Sequence, residues 1–348
     1  MSPVVRRELA AVTIALLVSV AIGSVLMLCV GKSPGHVWWL MVTRTLFSDT
    51  YSLGQVLYKA TALVLTGLSV SVALDAGLFI IPEGQVIAGV VTCASVGAAL
   101  PVGTPAAIAI PLCTLAAILA GAFVGGVVGA LRVWRGAHPV ISSIIMNAIV
   151  ASVALYLGNE LLFQNGTTTG PPIAPGAELP QFGFGGSAAN ASLVLAAAAV
   201  AGVWWVRTRT TWGKALLAVG RDPATARAAG ISVNTVYLVA LLASGALAGL
   251  AATNFVMGHK HAFEEGLGSG AGILGISAAL LGRSHPLGIA AAALVLGFIS
   301  SGGLAISDEV PKELSELLQG VVVLAVVCSS PYAARVAVAI RTKGTGTP

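Results

Sequence analysis

Glu83 and Gln85, in the run FIIPEGQ, carry the greatest chemical reach in this chain. They stand beside Pro82 and Gly84 next to long apolar segments, where a carboxylate is costly unless it faces protein, water or a solute. Two readings of Glu83 follow: an acid in bulk water at the end of a span, or a group that meets whatever passes through. Asn147, inside HPVISSIIMNAIV, and Asn254, inside the apolar run from Val236 to Met257, offer carboxamides at membrane depth. Their default use is hydrogen bonding between helices, worth about 0.5–2 kcal/mol, and their second is bonding to a polar solute. His259 and His261 flank Lys260 and precede Glu264 and Glu265. Two imidazoles and two acids suggest a metal, but nothing fixes their geometry and Lys260 opposes it, so the group reads as a solvated loop.

No GxxxxGK[ST] phosphate loop, GxSxG elbow, HExxH helix or paired-carboxylate constellation occurs in the sequence. The chain is therefore expected to be no enzyme, to hold no cofactor or metal, and to leave any ATP to another protein. Cys29, Cys93, Cys113 and Cys328 sit in or beside apolar runs without metal or CxxC spacing and read as packing residues.

Elements that could position such groups must live in lipid. Of 348 residues 57% are hydrophobic and only 9% charged, against roughly 25% charged in soluble domains. The 42 glycines suit close helix approach inside a bilayer better than a soluble core. The net charge of +5 is no nucleic-acid footprint, because the basic residues fall in short loops beside apolar segments and form no stripe. Trp38, Trp39, Trp204 and Trp205 suit anchoring at a membrane surface.

Every apolar run in hydrocarbon must form helix to satisfy its own backbone. The expected fold is all-α and polytopic, with about ten segments: Leu9 to Val30, Val56 to Leu74, Gln85 to Leu100, Ala106 to Leu131, Pro139 to Leu157, Ser187 to Val206, Val236 to Met257, Ala271 to Leu281, Leu287 to Ala305 and Leu318 to Val338. Gln85 to Leu100 and Ala271 to Leu281 are shorter than the ~20 residues of a full span. Each follows a breaker-rich stretch, as the broken or re-entrant helices around a transport site do. GAFVGGVVGAL after Ala120 echoes SGALAGLAA from Ser244, a possible weak internal repeat. Most basic residues, among them Arg6, Arg7, Arg132, Arg135, Arg207, Arg209, Arg283, Arg335, Arg341 and Lys343, fall on one side if both termini are cytoplasmic. The Gly-, Pro- and Thr-rich loop 159–186 then lies outside as a passive connector or a landing site for a soluble protein, and 339–348 is a short cytoplasmic tail.

One polar island, 207–232, interrupts this pattern on the basic side. It reads as two short helices. The first runs from about Trp212 to Val219 and breaks at Gly220 and Arg221. The second opens on Asp222 as N-cap with Pro223 at its first position and stops at Gly230.

GKALLAVGRDPATARAAGIS, from Gly213 to Ser232, resembles the coupling segment of ABC-importer permeases of the sugar, nucleoside and branched-chain amino-acid class. FIIPEGQ is similar to that family's NIGAEGQ-like element, with Phe79, Ile81 and Pro82 as departures. HPVISSIIMNAIV is similar to its EVISTIMLNYIA stretch, with Pro139 replacing an acid, and the run from Arg283 to Pro286 is similar to its tight GRxHPLG turn. The resemblance covers roughly Thr61 to Val338 and is nearest to nucleoside and simple-sugar permeases. It implies a single permease domain, 1–348, in a bacterial inner membrane. It implies as partners a second related permease, a cytoplasmic ABC ATPase and an extracytoplasmic substrate-binding protein. Gly213, Arg221, Asp222, Pro223, Ala226 and Gly230 would form the coupling segment, with Ala224, Ala226 and Ala229 as a small face entering the ATPase. Glu83, Gln85, Asn147 and Asn254 would line the substrate pathway. Two other classes remain in view: an ion-coupled secondary transporter using Glu83 or Asp75, and a passive channel or scaffold subunit.

Overall fold

The computed structural model describes residues 21–25, 27–28, 32–47, 50–163 and 167–306, together with 308, 317 and 320–321. Most of the expected first span, nearly all of the expected last one, the tail 339–348, and Cys29 and Cys328 lie outside the described residues. The chain divides into two compact units, 1–53 with 298–348, and 54–297.

In the first unit, α1 (Pro34–Val42) begins with proline at its first position and runs into a π-helical stretch, Thr43–Phe47. The apolar segments gave no hint of this helix. Trp38 Nε1 donates to Ser24 Oγ at 3.1 Å, and Arg44 meets Asp308 at 2.8 Å and the Ala305 carbonyl at 3.1 Å.

The second unit is organised around α2 (Thr50–Asp75), which enters it at Gly54. The most apolar window of α2 is 83% buried, which sets this helix at the centre of the packing. Then come α3 (Glu83–Ala99), α4 (Ala106–Arg135), α5 (Pro139–Leu157) with a π-helical extension Gly158–Leu162, and α6 (Ser192–Arg209). Two short helices follow, α7 (Thr211–Arg221) and α8 (Pro223–Ala228), then α9 (Val233–Leu250), continued after Ala251 by π-helical Thr253–Lys260. The series ends with α10 (Ala271–Leu281) and α11 (Pro286–Ala305).

Each expected apolar segment between Val56 and Ala305 is thus helical. Among the described residues five helices are long and apolar enough to cross a membrane: Thr50–Asp75, Ala106–Arg135, Pro139–Leu162, Val233–Lys260 and Pro286–Ala305. The segment expected from Ser187 starts at Ser192 instead, because the Asn190 side chain accepts the Ser192 N–H at 3.0 Å and holds the preceding residues in an irregular turn. The windows of α4 and α5 are only 28% and 17% buried. Their outward residues, Ile108, Leu112, Leu115 and Leu119 on one and Ile141, Ile145, Ile149 and Val153 on the other, recur at helical spacing and form apolar faces of the kind that meet lipid or another membrane helix.

The two runs that echo each other in sequence pack on each other. Gly121 and Gly125 of α4 lie against Gly245 and Gly249 of α9, so closely that a Cβ on Gly249 would stand 3.0 Å from the Gly121 Cα, and one on Gly125 3.0 Å from the Gly245 Cα. Backbones approach this near only where side chains are absent. Ser69 of α2 and Ser244 of α9 share a buried hydrogen bond of 3.0 Å beside that crossing.

The loop 159–186 is more than a connector. Its strand β1 (Thr169–Pro172) pairs antiparallel with β2 (Ala262–Glu264). Ile173 N–H donates to the His261 carbonyl at 2.7 Å, Ala174 N–H to Gly97 at 2.9 Å and Leu179 N–H to Met257 at 2.8 Å. These bonds tie the loop to the ends of α3 and the π-helical segment.

Candidate functional site

A cluster of polar groups forms where α3 begins. The chain turns at Gly77, whose φ of 73° is in the left-handed region, and reaches Glu83 through Ile80 and Pro82. The Glu83 carboxylate accepts the Gly270 N–H and, at 2.8 Å, the Gly272 N–H, so it caps the start of α10, where free amides and the helix dipole favour negative charge. Gly272 leaves the room for this: a Cβ there would lie 2.7 Å from Glu83 Cα. On the other side Gly84 N–H donates to Asn147 Oδ1 at 2.8 Å and Ile81 N–H to Ser143 Oγ at 3.2 Å. Ser143 and Asn147 are one turn apart on α5 and share a face. The reading of Glu83 as an acid in bulk water therefore gives way to a carboxylate engaged by backbone amides.

One turn past Asn147, Ala151, Ser152 and Leu155 of α5 line a cavity of about 320 Å³ with Ile87 of α3 and the segment that carries Phe263, Glu265 and Ser269. Phe263 is stacked on Phe163, centroids 5.4 Å apart and planes 6° from parallel, which makes one wall a rigid aromatic surface. Glu265 and Ser269 are exposed to it. Ser152 and Ser269 carried no signal in the sequence, because a serine in an apolar helix or a glycine-rich loop has no pattern of its own, and Glu265 stood out only beside the histidines as a candidate metal group.

Gln85 is fully buried, and neither its amide nitrogen nor its oxygen has a hydrogen-bond partner among the described residues. An unpaired buried carboxamide is costly and calls for a use. Asn254 is the opposite case. Its Oδ1 accepts from Asn190 at 3.1 Å and Ser192 at 2.8 Å, and its amide donates to the Tyr58 carbonyl at 3.0 Å. Of the two uses expected of Asn254, these contacts supply the bond between helices. Lys260 pairs with Glu264 at 2.6 Å, next to the His259 ring that leans on Tyr58.

The polar island 207–232 forms a second constellation. Thr210 caps α7, its hydroxyl accepting the Gly213 N–H at 3.1 Å. Gly213, Leu216 and Val219 recur at helical spacing and form its buried face, and Leu216 and Val219 share one apolar cluster with Leu78 and Ile80 of the α2–α3 link. The expected break at Gly220 and Arg221 falls one position later: α7 runs through Arg221, and Asp222, extended at φ −154° and ψ 104°, separates the helices. Gly220 serves packing instead, since a Cβ there would stand 2.9 Å from the Gly77 nitrogen. Asp222 caps α8 as expected, accepting from Ala224 N–H at 2.9 Å and from the Thr225 hydroxyl, with Pro223 at the first position. Those bonds, the hydroxyl's foremost, hold its carboxyl below the usual carboxylate range. Gly230, at φ 84°, closes the turn.

All of 221–230 is exposed except Ala226. Ala226, at 4% exposure, faces inward to the cluster with Leu216 and Val233. The expectation that it enters a partner's groove is corrected: the outward residues of α8 are Pro223, Ala224, Thr225, Arg227 and Ala228. Gly213 likewise faces inward, against Arg207 Cα, where a Cβ would come within 2.8 Å. Above α7 lies a second cavity of about 300 Å³, walled by Val72, Val203, Val206, Trp212 and Leu247, with Asp75 and Arg207 on its lining. These two form an ion pair at 3.3 Å.

Residues 52–327 match the family described as branched-chain amino acid transport system / permease component. The glucose ABC transporter permease protein of Haloferax volcanii is 32% identical, over 95% of this chain and 90% of its own length. The guanosine ABC transporter permease protein of Bacillus subtilis is 31% identical, over 92% and 93%. The nucleoside ABC transporter permease protein of Lactococcus lactis is 28% identical, over 91% and 90%. All three span both constellations, and the family match runs from α2 past the last described helix. The protein is a multi-pass membrane protein that belongs to the family of ABC transporter permeases defined by the branched-chain amino acid transport system permease component.

Proposed function

We propose that this permease is the membrane-spanning subunit of an ATP-driven importer for nucleosides or simple sugars in a bacterial cytoplasmic membrane, with both termini inside. A separate ABC ATPase docks on α7 and α8, a second related permease completes the passage, and an extracytoplasmic binding protein delivers the solute near the folded loop 159–186. ATP binding by the ATPase moves the docked helices, and the passage beside α3 and α5 opens in turn to each side. The permease itself binds no nucleotide.

One observation carries the reading: a doubly capped helix pair whose outer face is free along nearly all of 221–230, while its inner face is packed into the link between α2 and α3. A surface loop has no need of that inward packing, whereas a lever does. In the passage the solute meets the cavity of about 320 Å³, at the lower end of the ~300–1,000 Å³ typical of small-molecule sites. Hydroxyl and carboxylate groups there suit a polyhydroxylated solute, the Phe263 wall suits the face of a ring, and Gln85, Glu83 and Asn147 form the deeper polar step. The glucose, guanosine and nucleoside specificities in the relatives' names agree with such a lining. Cysteine crosslinking tests the docking: Ala224→Cys or Ala228→Cys links to a co-expressed ATPase subunit from the same operon. No crosslink from either position, in membranes where both proteins are present, would refute the docking.

A further inference from the structure

Arg207 stands at a junction that neither the family match nor its place in the basic island accounts for. It lies in the last turn of α6, one turn before Thr210, the cap of α7. Its two terminal nitrogens go to different elements: Nη2 pairs with Asp75 Oδ1 at 3.3 Å, and Nη1 donates to the Ser284 carbonyl. That carbonyl also accepts the Ser71 hydroxyl at 2.9 Å. Ser71 and Asp75 are one turn apart on the same face of α2. The four groups therefore close a ring joining the ends of α2 and α6 to the turn between α10 and α11.

The turn is built to be gripped. Arg283 and Ser284 are consecutive non-glycine residues in the left-handed region, φ 51° and 54°, a conformation that L side chains seldom adopt. It is held by Arg283 N–H to Leu280 at 3.1 Å, Ser284 N–H to Ala279 at 2.9 Å and His285 N–H to Gly282 at 3.0 Å, and Gly282 is so close to α11 that a Cβ would lie 2.6 Å from Ile289 Cα. The coupling segment touches the same ring at both ends of α7: Gly213 packs on Arg207 Cα and Gly220 on the backbone of Asp75 and Gly77. The side chains of Asp75 and Arg207 are only 7% and 24% exposed, so salt and water screen the pair little.

We infer that Arg207 is the positioning residue that passes the motion of α7–α8 to the α10–α11 turn, by bridging Asp75 at the end of α2 and the Ser284 carbonyl with the two arms of one guanidinium. The planar fork is essential, since one ammonium presents a single point charge where two separate acceptors must be met. Loss of the fork leaves the ATPase docked and active but the far turn disconnected.

This inference rests on the importer reading above, and its test separates the two. In the permease complex with its ATPase, reconstituted in nanodiscs, spin labels are placed at Ala228→Cys on the docking face of α8 and His285→Cys in the turn, positions exposed in the permease by itself. ATP with vanadate shifts both labels in the parent. In Arg207→Gln the Ala228 label responds as in the parent, ATP hydrolysis persists within about twofold, and the response at His285 falls at least fivefold. Arg207→Lys, which keeps the charge if Arg207→Gln fails to assemble, gives a response at His285 reduced at least twofold. An unchanged response at His285 in whichever of these complexes assembles overturns the inference. Absence of any response at Ala228 in the parent sinks the importer reading itself, and this inference with it.

Discussion

At the scale of single residues, the permease replaces side chains with backbone wherever two helices must pass. Gly245→Leu forces α9 away from Gly121 and Gly125. Overpacking of this kind costs about 1–3 kcal/mol, and the purified protein is expected to unfold at lower temperature in detergent, while Gly202→Ala, at an open position inside α6, holds or slightly raises the midpoint. Asn147→Ala leaves the Gly84 N–H without its acceptor, a loss of about 1–3 kcal/mol for a buried donor. Asn147→Asp keeps the oxygen but sets a second carboxylate beside Glu83 at membrane depth, and the midpoint should fall there as well. Asp222 gives the permease a pH dependence of known sign. Its folded carboxyl titrates below the ordinary value of about 3.9, so the cap is fully present above that value and is lost as pH falls through the folded one. The order of a spin label attached at Ala228→Cys before titration should be flat from pH 7 to 5 and fall only in more acid solution, and Asp222→Asn should remove that acid step. A fall already under way at pH 6 would show that another group sets the geometry of α8.

At the scale of elements, the helix ends were the most legible features. Asp222, Pro223 and Gly230 announce α8 by cap chemistry that acts within a turn, and α10 has the limits its apolar run suggested. The inward turn of Ala226 was not legible: in a helix as short as α8, with alanines on every side, nothing in composition marks the buried face. Only the packing of Leu78, Ile80, Leu216 and Val219 decides it. Glu83 illustrates the same limit at longer range, because its partners Gly270 and Gly272 lie far along the chain and a glycine amide leaves no trace in a motif. The echo between the α4 and α9 glycine runs was legible as likeness; its cause, that the two runs pack on each other, was not. Maleimide labelling tests the assignment of faces on α8. Ala224→Cys and Ala228→Cys should react at least tenfold faster than Ala226→Cys in the permease purified by itself, and equal rates would place the helix differently.

At the scale of the whole molecule, the fold class follows from composition and pattern: apolar runs this long and unbroken, rather than alternating, satisfy their backbone in lipid as helices. The two candidate regions meet where α2 passes into α3. The link between these two helices, residues 76–82, packs on α7 and α8 at one end and presents Glu83 and Gln85 at the other. On the importer reading, motion received at α7 reaches the polar step through this one short link. Sidedness is open to a direct check. An impermeant maleimide applied to right-side-out vesicles should label Glu178→Cys in the folded loop and spare Ala228→Cys, and the reverse pattern would invert the proposed orientation. The central claim is that the permease moves solute only when an engine outside its own sequence acts on it. Uptake of radiolabelled guanosine and glucose into proteoliposomes decides this. The permease with its partner permease, ATPase, binding protein and ATP should concentrate at least one of them, and the permease alone should concentrate neither under any imposed proton or sodium gradient. Accumulation by the permease alone would contradict the account.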